Sequence, residues 1–147
     1  MDFEQLAFIE KWRRRAVRGV VVALDATRGD VLLTLRAGEF GETLDLRGRD
    51  QTGVVRKQRV TLGDRLFVAF RYRAEGVTPG TGANTARTIG KGAEVVGTLT
   101  AHGELTEVEV NGVAILIESD EARAVAPGDA IRFRIADEGT AYVIPTR

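Results

Sequence analysis

The sequence predicts a mostly β protein in which an N-terminal helix is followed by two small β-barrel domains. Three observations predict this fold class. Apolar residues recur at every third position up to residue 12, which favours a helix. From residue 17 onward they alternate with their neighbours along most of the chain, which favours strands. A Gly- and Thr-rich stretch at residues 74–93 divides the alternating pattern into two parts, as a linker would.

The first 15 residues carry the signals of an amphipathic helix. Asp2 is a suitable N-cap residue, and Gln5 stands three residues further on, as in a capping box. The apolar stripe consists of Phe3, Leu6, Ile9 and Trp12. Three arginines follow at residues 13–15, where positive charge interacts favourably with the helix macrodipole. We therefore expect a helix over residues 1–15.

Two sets of strand-like segments follow, and they define the two predicted barrel domains, residues 16–91 and 92–147. The first set comprises residues 17–24, 31–36, 42–47, 65–73 and 85–89. The second set comprises residues 94–100, 106–110, 113–118, 130–135 and 140–144. Asn111-Gly112 lies between two strands of the second set and fits the positive φ angles of a type I′ hairpin turn. Residues 48–61 predict no more than a loop or a short helical piece.

The two sets share a local pattern that suggests a distant internal repeat. Val60-Thr61-Leu62-Gly63-Asp64 precedes a strongly alternating strand, and Val125-Ala126-Pro127-Gly128-Asp129 precedes another. Each set also opens with a glycine inside a valine-rich strand, Gly19 or Gly97. Convergence on the same turn chemistry would explain the pattern equally well, so both interpretations stay open.

These features resemble small five-stranded barrels of the oligonucleotide/oligosaccharide-binding (OB-like) kind, including S1-like modules, and similar SH3-like barrels. The resemblance is carried by Gly19, Val60, Gly63, Asp64 and the alternation over residues 66–72. It implies that the Gly-Asp pair forms the tight turn into the strand. The second set is equally similar to the compact ligand-binding β modules of transporter ATPases. A shared fold of this kind does not by itself specify a function.

Composition narrows the function classes. The chain has no cysteine, which excludes disulfides and thiolate metal sites and fits a cytoplasmic protein. Of the 21 basic residues, 18 are arginine. The net charge of zero conceals a division, because residues 1–91 carry a net charge of +6 and residues 92–147 a net charge of −6. Such asymmetry suggests that the halves meet different partners, or each other.

No catalytic, cofactor or metal site is predicted. His102 is the only histidine, so a catalytic triad or a multi-histidine metal site cannot form within one chain. The Gly-rich stretch before Lys91 fails the Walker spacing, since Thr85 stands where glycine is required and Gly92 follows the lysine. The acidic pairs in the second half are typical of exposed strand faces. We therefore expect a protein that is not an enzyme.

The most suggestive feature is a basic face that includes one aromatic residue. If alternate residues of the 65–73 strand form the core, the others project outward beside a basic stretch at residues 47–59. Cations that follow phosphates, with an aromatic ring that stacks on a base, are typical of single-stranded nucleic-acid binding. The candidate nucleic-acid-binding residues are Arg14, Arg15, Arg47, Arg49, Arg56, Lys57, Arg65, Phe67, Arg71 and Arg73. The alternative is that Phe67 is covered and the arginines pair with carboxylates.

Three functional hypotheses follow. The first is a non-catalytic protein that binds single-stranded DNA or RNA through its basic half. The second is a structural or protein-interaction module, including a homo-oligomer, that assembles through complementary basic and acidic halves. The third is small-ligand binding between the two barrels, as in oxyanion-binding repeats, although no Ser/Thr-lined anion nest supports it. No membrane partner is expected, because no apolar run is long enough to span a bilayer.

Overall fold

The computed structural model describes residues 3–27, 29–38, 43–80 and 87–144. Within these ranges the chain is mostly β, and no helix is long and apolar enough to cross a membrane. The predicted cap at Asp2, the start of the strand predicted at 42–47 and the centre of the predicted linker lie outside the described residues. The helices are α1 (Phe3–Trp12), a 3₁₀ turn (Arg13–Arg15), α2 (Val54–Lys57) and a second 3₁₀ turn (Glu121–Ala124). The strands are β1 (Val17–Thr27), β2 (Asp30–Ala37), β3 (Leu44–Asp50), β4 (Arg65–Pro79), β5 (Thr88–Ile89), β6 (Glu94–Ala101), β7 (Thr106–Val110), β8 (Val113–Glu118), β9 (Ala130–Ile135) and β10 (Thr140–Val143).

The strand β4 is the centre of the fold, because it belongs to two closed rings of hydrogen-bonded strands. One ring runs β1–β2–β3–β10–β4 and returns to β1. The other runs β4–β8–β7–β6–β9 and returns to β4. The N-terminal part of β4 pairs with β1 and β10, and its C-terminal part pairs with β8 and β9. We call these the first and second rings.

The prediction of two separate barrel domains is therefore wrong. The ten strands form one sheet, and the first ring is completed by β10, which comes from the C-terminal end of the chain. The second ring is likewise completed by β4, which comes from the N-terminal half. The buried residues of both rings form one continuous apolar cluster, so neither ring has a core of its own. Assignment of the chain to OB-like or S1-like modules, and a boundary at residues 91 and 92, stay predictions.

The two rings share a hydrogen-bond pattern around the Gly-Asp turns. In the first ring, Gly63 donates its N–H to the Val21 carbonyl, and Val21 donates to the Asp64 carbonyl, both over 2.9 Å. In the second ring, Gly128 donates to Leu99 over 2.7 Å and Leu99 donates to Asp129 over 3.0 Å. Each Gly-Asp turn is therefore hydrogen-bonded to the first strand of its set, β1 in the first ring and β6 in the second. We call β1 and β6 the opening strands.

Glycine is required where those opening strands cross their neighbours. A side chain at Gly19 would strike the Arg36 carbonyl oxygen and the Leu35 side chain, and one at Gly97 would strike the Glu109 carbonyl oxygen. Gly19 and Gly97 are thus equivalent positions in the two rings, which fixes a correspondence between the residues around them.

The side chain of Tyr72 joins β4 to β3 inside the core. It is fully buried, its ring stacks with that of Phe70, and its hydroxyl donates a 2.7 Å hydrogen bond to the Arg47 carbonyl on β3. Burial raises the pKa of the Tyr72 hydroxyl well above its usual value, so it stays a donor. Gly139, between β9 and β10, packs against this ring with a φ of 80°, and its carbonyl accepts the Arg49 N–H.

We predict that fragments 1–80 and 87–147 do not fold separately but fold when mixed, because each lacks a strand that closes its ring. Circular dichroism and urea unfolding of each fragment and of the mixture would measure this. Cooperative unfolding of either fragment by itself would contradict the shared-strand arrangement.

We also predict that Gly139→Ala lowers the free energy of unfolding by about 2–4 kcal/mol, as a clash in the core does. The new methyl group would overlap the Tyr72 ring. Gly29→Ala is the matched control, because Gly29 has a φ of 91° with open space around it. Its cost is the backbone strain alone, roughly 1–2 kcal/mol. Equal midpoint shifts for the two variants in urea would exclude the clash.

Candidate functional site

A cleft with a strongly cationic lining lies between the first ring and the turn that joins β7 to β8. Its volume is about 910 Å³, within the size range of small-molecule sites. We call it the arginine cleft, because its described lining contains four arginines and no carboxylate. The lining residues are Arg15, Ala16, Val17, Arg18, Gly19, Val20, Arg36, Gly38, Arg65, Asn111, Gly112, Val113 and Ala114.

Strand register brings residues that are distant in sequence together in this cleft. On β1, Val17, Gly19 and Val21 are buried, so Arg18 and Val20 project from the other face of the strand. Val20 stands opposite Arg65 on β4 and opposite Arg36 on β2. The arginines of three adjacent strands therefore share one outward face of the first ring.

Two of the four arginines already have carboxylate partners. Arg36 donates from Nε and from one terminal nitrogen to the Asp45 carboxylate, over 2.9 and 3.1 Å. The hydrogen bonds and charge of Asp45 raise the pKa of Arg36. Arg15 pairs through Nε with Oε1 of Glu107, whose side chain is only 8% exposed. Arg15 is the one described polar partner of that oxygen. Their positive charge is thus largely neutralised before any ligand arrives.

Arg18 and Arg65 are the two cations of the cleft that remain available. Among the described residues, no carboxylate lies within ion-pair distance of either side chain, and both residues are exposed. Arg18 stands opposite Phe67 in the β1–β4 register, and its guanidinium lies 5.9 Å from the centre of the Phe67 ring. A cation–π contact of this kind restrains Arg18 without neutralising it.

The fold does not require arginine at these positions. In the second ring the residues equivalent to Arg18, Arg36 and Arg65 are Val96, Glu109 and Ala130, as the registers around Gly97 show. The same backbone geometry is therefore built there with apolar and acidic side chains. The positive charge of the arginine cleft therefore comes from the residue types at these positions of the first ring and not from the fold.

The structure distributes the ten predicted site residues over several elements. Arg14 and Arg15 lie in the first 3₁₀ turn, Arg47 and Arg49 on β3, Arg56 and Lys57 on α2, and Arg65, Phe67, Arg71 and Arg73 on β4. The side chain of Arg14 lies outside the described part of the structure. Of the ten, only Arg15 and Arg65 line the arginine cleft. Phe67 is 47% exposed and lies at its edge beside Arg18.

Three cleft residues with polar side chains were not among those predicted: Arg18, Arg36 and Asn111. Arg18 carried a signal, because it extends the run of arginines at residues 13–15. Nothing in the sequence marked Arg36 or Asn111 as a site residue. Arg36 lies beside Val20 only because of the strand register, and the β7–β8 turn with Asn111 reaches the cleft only because the rings close.

The predicted outward face of β4 is only partly open to solvent. Arg71 donates to Oε2 of Glu118 over 2.8 Å, and its side chain is 34% exposed. Burial acts to lower the pKa of Arg71, but the hydrogen bonds and charges of Glu118 and Tyr142 raise it overall. Ala69, on the same face, is buried in a small apolar cluster with Leu105 and Leu116. The middle of this face of β4 is therefore packed against other parts of the chain and is not open to a ligand.

Comparison with known proteins gives a structural resemblance but no match in sequence. No protein-family model matches the chain, and no curated protein matches it. Its structure is similar to that of the cytoplasmic molybdate-binding protein ModG, in a PEG-grown crystal form with molybdate bound. The two chains are 16% identical, the match covers 87% of this chain and 94% of that one, and the TM-score is 0.47. A likeness this distant assigns no ligand to the present chain.

The prediction that the basic half binds nucleic acid is wrong. Three of its proposed contact residues, Arg15, Arg49 and Arg71, are paired with Glu107, Glu138 and Glu118 of the acidic half. Such pairs remove the free positive charge on which attraction to phosphates depends.

The prediction of assembly through complementary halves is wrong for the same reason. The opposite charges of the two halves meet within one chain, where Lys11 of the basic half pairs with Glu104 of the acidic half over 2.8 Å. With this pair and the three above, four cations of the basic half are matched by carboxylates of the acidic half inside the molecule. The charge asymmetry of the sequence therefore provides no reason to expect a second copy or a charged protein partner.

We predict that Arg15→Ala lowers the free energy of unfolding by about 2 kcal/mol, because it leaves the buried Glu107 carboxylate unpaired. Replacement of Glu107 by Gln in the same chain should restore most of the loss. Arg13→Ala is the matched control, since its partner Glu10 is 70% exposed and the pair should contribute little, about 0–1 kcal/mol. Urea unfolding measures all three variants. A double variant no more stable than Arg15→Ala would disprove the explanation.

Proposed function

We propose that this chain is a non-catalytic binding protein that holds a small anion in the arginine cleft. The observation that carries this proposal is the presence of two unpaired arginines, Arg18 and Arg65, in a cleft whose described lining has no carboxylate. A cytoplasmic location, expected from the absence of cysteine, belongs to the same proposal.

Arginine is suited to this role because its planar guanidinium offers several N–H donors to one oxyanion. Charge-assisted hydrogen bonds of this kind are about twice as strong as neutral ones. Arg18 and Arg65 occupy diagonal positions on adjacent strands, where side chains of this length can reach a common ligand. An anion between them would receive donors from both.

The rest of the cleft favours a small ligand over a polymer. The β7–β8 turn, with Asn111 and Gly112, forms the wall opposite β1 and limits the cleft on that side. Arg15 and Arg36 line the same space, and although each is paired with a carboxylate, both side chains are about half exposed. Because the charges of Arg15 and Arg36 are largely neutralised, Arg18 and Arg65 supply most of the positive potential of the cleft.

We predict that the purified chain binds inorganic phosphate, sulfate or molybdate, and that Arg18→Ala and Arg65→Ala each weaken binding about tenfold or more. Loss of one hydrogen bond to a charged group, worth about 1.5–3 kcal/mol, accounts for that factor. Isothermal titration calorimetry at low and moderate salt measures the affinities. They should fall as salt rises, because the cleft is exposed.

Arg73→Ala is the matched control. Arg73 is exposed, lies on β4 like Arg65 and is outside the cleft, so its loss changes the net charge equally without removing a proposed contact. The proposed function is wrong if none of the three anions binds, or if Arg73→Ala weakens binding as much as Arg65→Ala does.

A further inference from the structure

The apolar residues around Arg18 and Arg65 carry an inference about the kind of anion that is bound. In the β1–β4 register Arg18 faces Phe67, and Val20 faces Arg65. On this two-by-two patch the cations occupy one diagonal and the apolar side chains the other. An anionic group held by both arginines would therefore lie in direct contact with apolar surface.

Phe67 is a large apolar side chain that is 47% exposed. It is not part of the cleft lining, but its ring lies beside Arg18, which is. Among the described residues, the other exposed large apolar side chains are Phe3 and Leu62. Each Å² of apolar surface that a ligand covers on the exposed phenylalanine ring stabilises binding by about 25 cal/mol. Phe67 is thus placed to stabilise the hydrocarbon part of a ligand whose charged part contacts Arg18.

The cleft is also much larger than an inorganic anion requires. Its volume is about 910 Å³, whereas one water molecule occupies roughly 30 Å³ of liquid. Beyond the arginines its lining includes three partly exposed aliphatic residues, Ala16, Val20 and Ala114. Inorganic oxyanions gain nothing from such surface, but an apolar group does.

From this arrangement we infer that the ligand is a small organic anion. Its acidic group contacts Arg18 and Arg65, and its hydrocarbon body covers Val20 and Phe67 and extends toward Ala114 across the cleft. The inference rests on the proposed function and adds the chemical class of the ligand. Specificity then depends on the apolar residues beside the two arginines, which contact the hydrocarbon body of the ligand.

The test compares two anions that carry the same acidic group, phenylphosphate and inorganic phosphate, by calorimetry on the full-length chain. We expect phenylphosphate to bind at least tenfold more tightly. Phe67→Ala should reduce the affinity for phenylphosphate at least fivefold and change that for inorganic phosphate by less than twofold. Val20→Ser should act in the same direction, and Ala114→Leu should reduce phenylphosphate binding by filling the space that its ring needs.

Leu62→Ala is the matched control, because Leu62 is 63% exposed and lies outside the cleft. Phe67 and Leu62 are both exposed, so neither change should disturb the core, and urea unfolding verifies this. Equal affinities for the two anions would overturn the inference and leave the proposed function intact. Failure of both anions to bind would overturn the inference together with the proposed function. A Phe67→Ala variant that binds phenylphosphate as tightly as the Leu62→Ala variant would also overturn it.

Discussion

The hydrogen bonding of one continuous strand, β4, to four other strands is the constraint on which the structure depends. Its first residues close one ring with β1 and β10, and its last residues close the other with β8 and β9. A strand cannot be removed from either ring without breaking backbone hydrogen bonds along its length, and each lost bond leaves buried polar groups unsatisfied. The two rings consequently share one core, and the buried Tyr72 ties β4 to β3 within it.

The same arrangement decides how the charges of the chain are satisfied. Because each half contributes a strand to the ring of the other, basic and acidic residues that lie far apart in sequence become neighbours. Arg71 and Glu118 are brought together by the β4–β8 pairing, and Arg134 and Glu75 by the β4–β9 pairing. What remains unpaired is then informative, because an arginine without a carboxylate partner in a concave site is available to a ligand.

The positive charge of the arginine cleft comes from its side chains, and its shape comes from the backbone of the rings. The opening strands of both rings have a glycine at the crossing point and the same Gly-Asp turn, so their outward faces have similar backbone geometry. Of the two rings, only the first has arginines at the positions of Arg18, Arg36 and Arg65, where the second has Val96, Glu109 and Ala130, and the β7–β8 turn lines the same cleft as those arginines. A binding site on one of two similar rings is consistent with the general rule that function is carried by local chemistry grafted onto a fold.

The sequence by itself determined the mostly β character, the positions of most strands and the Asn111-Gly112 turn, because alternation and turn chemistry are local properties. It could not determine which strands close which ring, since β10 joins β3 across about ninety residues of chain and β4 across about seventy, and no local pattern records those pairings. The net charge of residues 1–91 and the alternation along β4 therefore suggested a basic surface, whereas in the tertiary structure several of those arginines form ion pairs. Register alone decided that Arg18, Arg36 and Arg65 share a face, because adjacency across strands depends on hydrogen bonding between segments distant in sequence.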